Sequence, residues 1–218
     1  MGLVAIGDVH GCAKTLVALI EKILPEKGDH LVFVGDYIDR GPDSRGVIDI
    51  LLELSDHVRC TFLRGNHEAL MLDYLERGEF EIWRMNGGLD TLSSYRSSNG
   101  KIEIPDHHID FIHDTRLYYE TDDFIFVHAG LRPELTVAEN VRRNDDHIFL
   151  WERGHLDARK VKWEKTVVCG HTPHSQPINH ENLILIDTGC VYYKHPGMGT
   201  LTGVRLPDRD FVSVEYQE

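Results

Sequence analysis

Five short stretches of this chain combine metal-binding or titratable side chains with glycine. The first is Gly7-Asp8-Val9-His10-Gly11, directly after the apolar run Leu3-Val4-Ala5-Ile6. One residue separates Asp8 from His10, so in an extended segment both side chains leave the same face and can close on one ion. The flanking glycines allow the tight turn that this requires. The second, Gly35-Asp36-Tyr37-Ile38-Asp39-Arg40-Gly41, brings two carboxylates and an arginine. By itself an Asp and Arg couple does no more than pin a loop. In the third, Arg64-Gly65-Asn66-His67-Glu68, Asn66 is an uncharged oxygen ligand and His67 a titratable imidazole. His128-Ala129-Gly130 and Gly170-His171-Thr172 each set a histidine at the end of an apolar run.

A lone histidine at a strand end is usually a hydrogen-bonded structural residue. That reading suits His107, His108, His113, His180 and His195 among the 14 histidines of the chain. Two carboxylates, an asparagine and three histidines on one edge are a different case. Nitrogen and oxygen ligands in that number suffice for two first-row divalent ions such as manganese, iron or zinc, and are too rich in nitrogen for a calcium cage.

The elements that must bring them together follow from hydrophobic spacing. Apolar runs at residues 3–6, 31–34 and 58–63 alternate with helical patterns. One pattern holds Leu16, Val17, Leu19, Ile20 and Ile23 and stops at Pro25 and Gly28; the other holds Val47, Ile48, Leu51 and Leu54, with Ser44 as its N-cap. Strand, helix, strand, helix, strand implies parallel pairing through right-handed crossovers, with sites at the carboxyl ends of the strands. Residues 67–114 turn helical with breaks at Gly78, Gly87-Gly88 and residues 97–100; Trp83, Met85 and Tyr95 there are assigned to the core. Runs at 124–127, 166–169, 183–186, 199–204 and 211–214 have little helix between them and predict a β meander. The sum is a four-layer α/β/β/α sandwich of two mixed sheets with flanking helices, one domain over residues 1–218.

With 36 acidic residues against 23 basic ones, the net charge of -13 argues against a nucleic acid partner held through its backbone. Cys12, Cys60, Cys169 and Cys190 lie far apart without a CxxC pair, as reduced thiols of a cytoplasmic protein do. No apolar run reaches the length of a membrane span, and the first strand follows at once on Met1, leaving no room for a signal peptide. A monomer is expected.

Taken in order, GDVHG at 7–11, GDYIDRG at 35–41, RGNHE at 64–68, HAG at 128–130 and GHT at 170–172 resemble the signature of the calcineurin-like metallophosphoesterases. Within them the chain is most similar to the phosphoprotein phosphatases, and the WRMNGG stretch at 83–88, with HAG in place of HGG, resembles the bacterial and bacteriophage branch. The resemblance implies two divalent ions, manganese first and iron or zinc as alternatives. Asp8 and His10 would hold one ion, Asn66, His128 and His171 the other, and Asp36 would bridge them. A hydroxide shared by the ions would attack phosphorus in line. His67, oriented by Asp39, would protonate the leaving alkoxide. Arg40 would grip phosphate oxygens as a fork, with Asn66 beside it. Two divalent ions, two Asp carboxylates and one hydroxide leave a single positive charge against the two negative charges of a phosphomonoester, so a second arginine is wanted. Arg153 fills that place by resemblance, with Arg142 and Arg143 as rivals.

The implied activity is a serine/threonine protein phosphatase, with phosphotyrosine and small phosphoesters within reach. The intact Asp39-Arg40-Gly41 and Glu68 favour it over a hydrolase of dinucleoside polyphosphates, such as diadenosine tetraphosphate, or of RNA ends. A metal-binding module that only docks phosphoproteins is a third reading, disfavoured because every ligand position is filled. Other chemistries find no motif, since the chain has neither an HCxxxxxR loop nor a GxxxxGK loop.

Overall fold

The computed structural model describes residues 2–218. The three leading apolar runs form β1 (Leu3–Ile6), β2 (His30–Phe33) and β3 (Arg59–Phe62), with α1 (Ala13–Ile23) and α2 (Ser44–Ser55) as crossovers. The helical stretch holds α3 (Asn66–Arg77), α4 (Phe80–Trp83), α5 (Leu89–Ser94) and α6 (Asp106–His113). After it come β4 (Tyr118–Glu120), β5 (Phe124–Val127), α7 (Val137–Arg143), α8 (Asp146–Trp151), β6 (Thr166–Cys169), β7 (Ile178–Asn179), β8 (Leu183–Leu185), β9 (Thr200–Leu206) and β10 (Asp210–Glu215). The strands make two five-stranded sheets, ordered β10-β9-β1-β2-β3 and β4-β5-β6-β8-β7.

Strand side chains alternate between faces, and that alternation builds three cores. Val4, Ile6, Leu31 and Phe33 point outward onto α1 and α2, packing with Leu16, Leu19, Val47, Ile48 and Leu51. Ala5, Val32 and Val34 point inward and meet Phe124, Phe126, Val168, Ile184 and Ile186 of the second sheet. The opposite face of that sheet carries Ile125, Val127, Val167, Cys169 and Leu185 onto Val137 and Phe149 of α7 and α8. The result is the expected four-layer sandwich of two mixed sheets flanked by helices.

The second half is a meander only at its end, where β9 and β10 pair antiparallel and join the first sheet beside β1; in the second sheet the strands run otherwise. β5, β6 and β8 are parallel, with only β4 and β7 antiparallel at the edges. α7 and α8 lie on the crossover from β5 to β6. They are too short, at 7 and 6 residues, to display a helical period. Their start signal was present in Thr136 and Glu139, which form a capping box. Two smaller expectations also change. Asp43, not Ser44, caps α2 by accepting from the Gly46 N–H at 2.8 Å; Ser44 is the first helical residue and its hydroxyl accepts from the Asp39 N–H at 3.0 Å. Met85 is 72% exposed, whereas Trp83 and Tyr95 are buried.

All four cysteines are free, and no helix among the described residues is long and apolar enough to cross a membrane. His30 on β2 is buried beside the Thr61 hydroxyl, and burial pulls its imidazole from the usual 6.5 down to about 4. As pH falls from 6.5 toward 4, the unfolded chain takes up a proton that folded His30 refuses, so stability drops across that window. His30→Gln should flatten this part of the stability profile, as read by urea unfolding at stepped pH; an unchanged slope would assign it to other groups.

Candidate functional site

The carboxyl ends of all six parallel strands open on one edge of the sandwich. β1 runs into Asp8, β2 into Asp36, β3 into Asn66 and His67, β5 into His128, β6 into His171 and β8 into Asp187. Two contacts tie the sheets together there. The His171 N–H donates to Asp8 Oδ2 at 3.0 Å, and His128 Nδ1 lies 2.9 Å from the Val34 carbonyl.

These hydrogen bonds decide what the imidazoles can bind. Facing the Val34 carbonyl, His128 Nδ1 must carry the proton, which leaves Nε2 as a lone pair; the Ile38 carbonyl, 2.9 Å from His10 Nδ1, does the same for His10. Asn66 Oδ1 lies 2.9 Å from His128 Nε2 and 2.8 Å from His171 Nδ1, and the two nitrogens are 3.1 Å apart. His128 Nε2 and Asn66 Oδ1 thus face each other as two lone pairs, a repulsive contact unless a cation sits beside them. Asp36 stands beside them, with Oδ1 3.5 Å from His128 Nε2 and Oδ2 3.5 Å from His10 Nε2. Asp36 thus belongs to two ligand clusters, one with His10 and His67 and one with His128 and His171. Asp8 lies outside both, buried, and its Oδ1 has no hydrogen-bond partner among the described residues. The donor set fits a pair of divalent ions sharing Asp36.

Charge agrees with that fit. Burial pulls the imidazoles of His10 and His128 down, and that of His171 to about 2, so all three are neutral at pH 7, the state in which an imidazole can bind a metal. Burial also raises Asp8, reinforced by Asp187 and Asp36. For Asp36 burial works the same way, but the surrounding imidazoles, His128 first, outweigh it and hold the carboxyl below its usual range.

His67 is set apart by its partner. Its Nδ1 lies 2.6 Å from Asp39 Oδ2, and its Nε2 faces the cluster 3.9 Å from Asp36 Oδ2. Burial disfavours its imidazolium, yet Asp36 and Asp39 outweigh this and raise its pKa. Asp39 is itself held: the Trp83 indole N–H lies 3.0 Å from each carboxylate oxygen, and the Thr91 hydroxyl donates to Oδ1 at 2.6 Å. Trp83, which looked like plain core, is therefore a positioning residue. Gly87, at φ 108, lets this segment reach the loop, since a Cβ there would come 2.7 Å from the Arg40 backbone nitrogen. Trp83→Phe keeps an aromatic ring but removes the indole N–H, a donor to a charged group, together with part of the buried ring, with an expected cost of about 1.5–3 kcal/mol in stability from the hydrogen bond and more from the lost volume. It should also lower kcat more for alkyl than for aryl phosphates; equal losses would make its role purely structural.

Sequence reasoning also passed over what Glu68 does. Its Oε2 accepts from the Asp36 and Gly65 N–H groups, each at 2.8 Å, and its Oε1 from those of Tyr37 at 2.9 Å and Ile38 at 3.4 Å. Burial pushes this carboxyl up to about 7. The bonds hold the strained loop after β2, where Asp36, Asp39 and Arg40 have positive φ; His10 and His171 share that conformation in the loops after β1 and β6. These φ values, from 46° to 74°, lie in a region that costs side-chain-bearing residues about 1–3 kcal/mol each. The signal was its place three residues after Gly65, where it closes the start of α3.

The two arginines are placed differently. Arg40 is half-buried, and its Nη1 donates toward His10 Nε2 at 2.7 Å. Arg153 is exposed; its Nε donates to the Thr172 hydroxyl at 3.2 Å, beside His171. Arg142 and Arg143 are exposed in the last turn of α7.

Comparison with known proteins accords with this geometry. The family model of calcineurin-like phosphoesterases matches residues 1–197. The chain belongs to that family. Among curated members it is 30% identical over 234 residues to the asymmetrical bis(5'-nucleosyl)-tetraphosphatase PrpE of Anoxybacillus flavithermus, covering 96% of this chain and 92% of that one. The PrpE of Bacillus subtilis is 29% identical with the same coverage. Solved calcineurin-like folds that superpose on it include a candidate diadenosine tetraphosphatase, with TM-score 0.73, 24% identity and coverage of 100% and 94%. A cold-active protein-tyrosine phosphatase from a Shewanella species gives TM-score 0.65 at 19% identity, with coverage of 99% and 78%. Members of the family use a dinuclear metal centre, and the clustered His and Asp residues are in keeping with one.

Proposed function

We propose that this phosphoesterase hydrolyses bis(5'-nucleosyl) tetraphosphates asymmetrically, together with small phosphoesters, at a dinuclear metal centre. The observation that carries the substrate is similarity along nearly the whole length of relatives named for that activity. The motifs pointed first to a phosphoprotein. Their weight falls once the bonds are seen, because Glu68 holds backbone N–H groups and Asp39 holds His67, tasks that do not depend on the substrate.

In this reading Asp8 and His10 hold one ion, Asn66, His128 and His171 the other, and Asp36 both. When bound, the ions supply an activated water at neutral pH and charge neutralisation at phosphorus. Arg153 stands outside the ligand clusters beside His171, and Arg40, whose Nη1 lies 2.7 Å from His10 Nε2, would yield that nitrogen to the ion; both would take phosphate oxygens. Cleavage at a nucleoside-bearing phosphate forms one new P–O bond to the water oxygen and breaks the adjoining anhydride P–O bond. The electron pair leaves with the nucleoside triphosphate, the monophosphate remains, and His67 Nε2 can deliver the proton.

The test is kcat/KM, with manganese supplied, for diadenosine tetraphosphate and for a phosphoserine peptide on one preparation. A preference of about tenfold or more for the dinucleotide, about 1.4 kcal/mol at the transition state, with a triphosphate and a monophosphate as products, is the expected result. The opposite preference would return the chain to the protein phosphatases.

A further inference from the structure

Besides His10, Arg40 meets an aromatic wall. Its guanidinium carbon lies 5.6 Å from the Tyr192 ring centroid. The two groups line an open pocket of about 380 Å³ with Tyr193, Lys194, His195 and Tyr216. Tyr193 and Tyr216 stack with centroids 3.9 Å apart and planes 9° from parallel, and Lys194 Nζ sits 5.3 Å from the Tyr193 centroid. The wall is built on a pinned loop. The Gly199 N–H donates to the Gly189 carbonyl at 3.0 Å, closing its ends, and the Tyr216 N–H donates to the Gly199 carbonyl at 2.8 Å. Tyr193 is still 45% exposed.

We propose that this pocket is the subsite for one nucleoside of the substrate, with the base against the tyrosines and the phosphate chain running past Lys194 and Arg40 to the reacting phosphorus. The proposal rests on the dinucleoside reading above and deepens it. Three features choose this occupant. The pocket shares Arg40 with the metal-type ligands, since Nη1 lies 2.7 Å from His10 Nε2, so an occupant joined to the reacting phosphate runs past a guanidinium that binds further phosphates. Tyrosine faces stack any base without selecting its sequence identity. Two cations lining one pocket, on a chain of net charge -13 and against one lining carboxylate, Asp90, match a ligand with several phosphates. A phosphotyrosine side chain carries no further phosphate for Lys194 to bind.

Two measurements on the manganese-loaded enzyme test this, using Tyr193→Ala and Tyr193→Trp. The first is the ratio of kcat/KM for diadenosine tetraphosphate over that for p-nitrophenyl phosphate, which should fall about tenfold in Tyr193→Ala, mostly through KM, and recover in Tyr193→Trp. The second is binding of the fluorescent base analogue etheno-ADP, which should weaken about tenfold in Tyr193→Ala. An unchanged ratio overturns the subsite, as does an equal fall for diadenosine tetraphosphate and a phosphotyrosine peptide. If etheno-ADP binding depends on Tyr193 while the wild type prefers a phosphoserine peptide, the proposed substrate fails and the subsite stands. If etheno-ADP binds both proteins equally, the subsite fails whatever the substrate preference.

Discussion

Asp36→Asn should abolish the binding of both metal ions together and lower kcat/KM by about a thousandfold. One side chain stands in two clusters: its Oδ1 is 3.5 Å from His128 Nε2 and its Oδ2 is 3.5 Å from His10 Nε2. An amide presents one neutral oxygen in place of two charged ones, so neither cluster keeps its anion. Breaking such a buried charge arrangement costs about 3–5 kcal/mol, which corresponds to about 10³ in rate or affinity. The ion-free protein should remain folded, because an asparagine there keeps an oxygen for the His67 N–H, now 3.1 Å from Oδ1, and loses one of the charges that raise Asp8, which offsets part of the lost attraction to the imidazoles. Metal analysis after dialysis, with melting curves with and without manganese, checks this. The wild type should gain stability on manganese addition by mass action and the variant should gain little. Loss of one ion with the other intact would contradict a shared ligand.

His67→Asn should retain both ions and lose about 10²–10³-fold in kcat on an alkyl phosphate. The loss should shrink to about tenfold or less on p-nitrophenyl phosphate, whose leaving group departs without a proton. Diadenosine tetraphosphate should fall near the aryl case, since a phosphate oxygen is also a good leaving group. The basis is geometric: Asp39 fixes Nδ1 at 2.6 Å, Trp83 and Thr91 fix Asp39, and Nε2 is left facing the cluster without a hydrogen-bond partner among the described residues. Equal losses on alkyl and aryl substrates would remove His67 from the acid role.

Both predictions draw on residues that were legible in the sequence, and the reason is chemical. Asp, Asn and His followed or preceded by glycine at the end of an apolar run can be recognised locally, because strand, turn and ligand all lie within about ten residues of chain, the scale on which periodicity and turn chemistry act. The supports were less legible. Glu68 was visible as part of RGNHE, but its bonds to Asp36, Tyr37 and Ile38 span 30 to 32 residues. Trp83 and Thr91 reach Asp39 across 44 and 52 residues, and nothing in their local pattern separates them from core.

The sequence by itself determined the strands of the first sheet, the alternation that gives each sheet two apolar faces, the ligand types and their turns. These depend on side chains within a few residues of one another. Only the tertiary structure decided that β5, β6 and β8 run parallel, that His171 donates its N–H to Asp8 across 163 residues, and that Arg40 touches both His10 of the ligand clusters and the tyrosine wall of residues 192 and 193. Those relations are set by the packing of Ala5, Val32 and Val34 against Phe126, Val168 and Ile184. Buried apolar area drives that packing without direction, so which sheet edge meets which depends on the fit of all the layers at once and leaves no period in the chain.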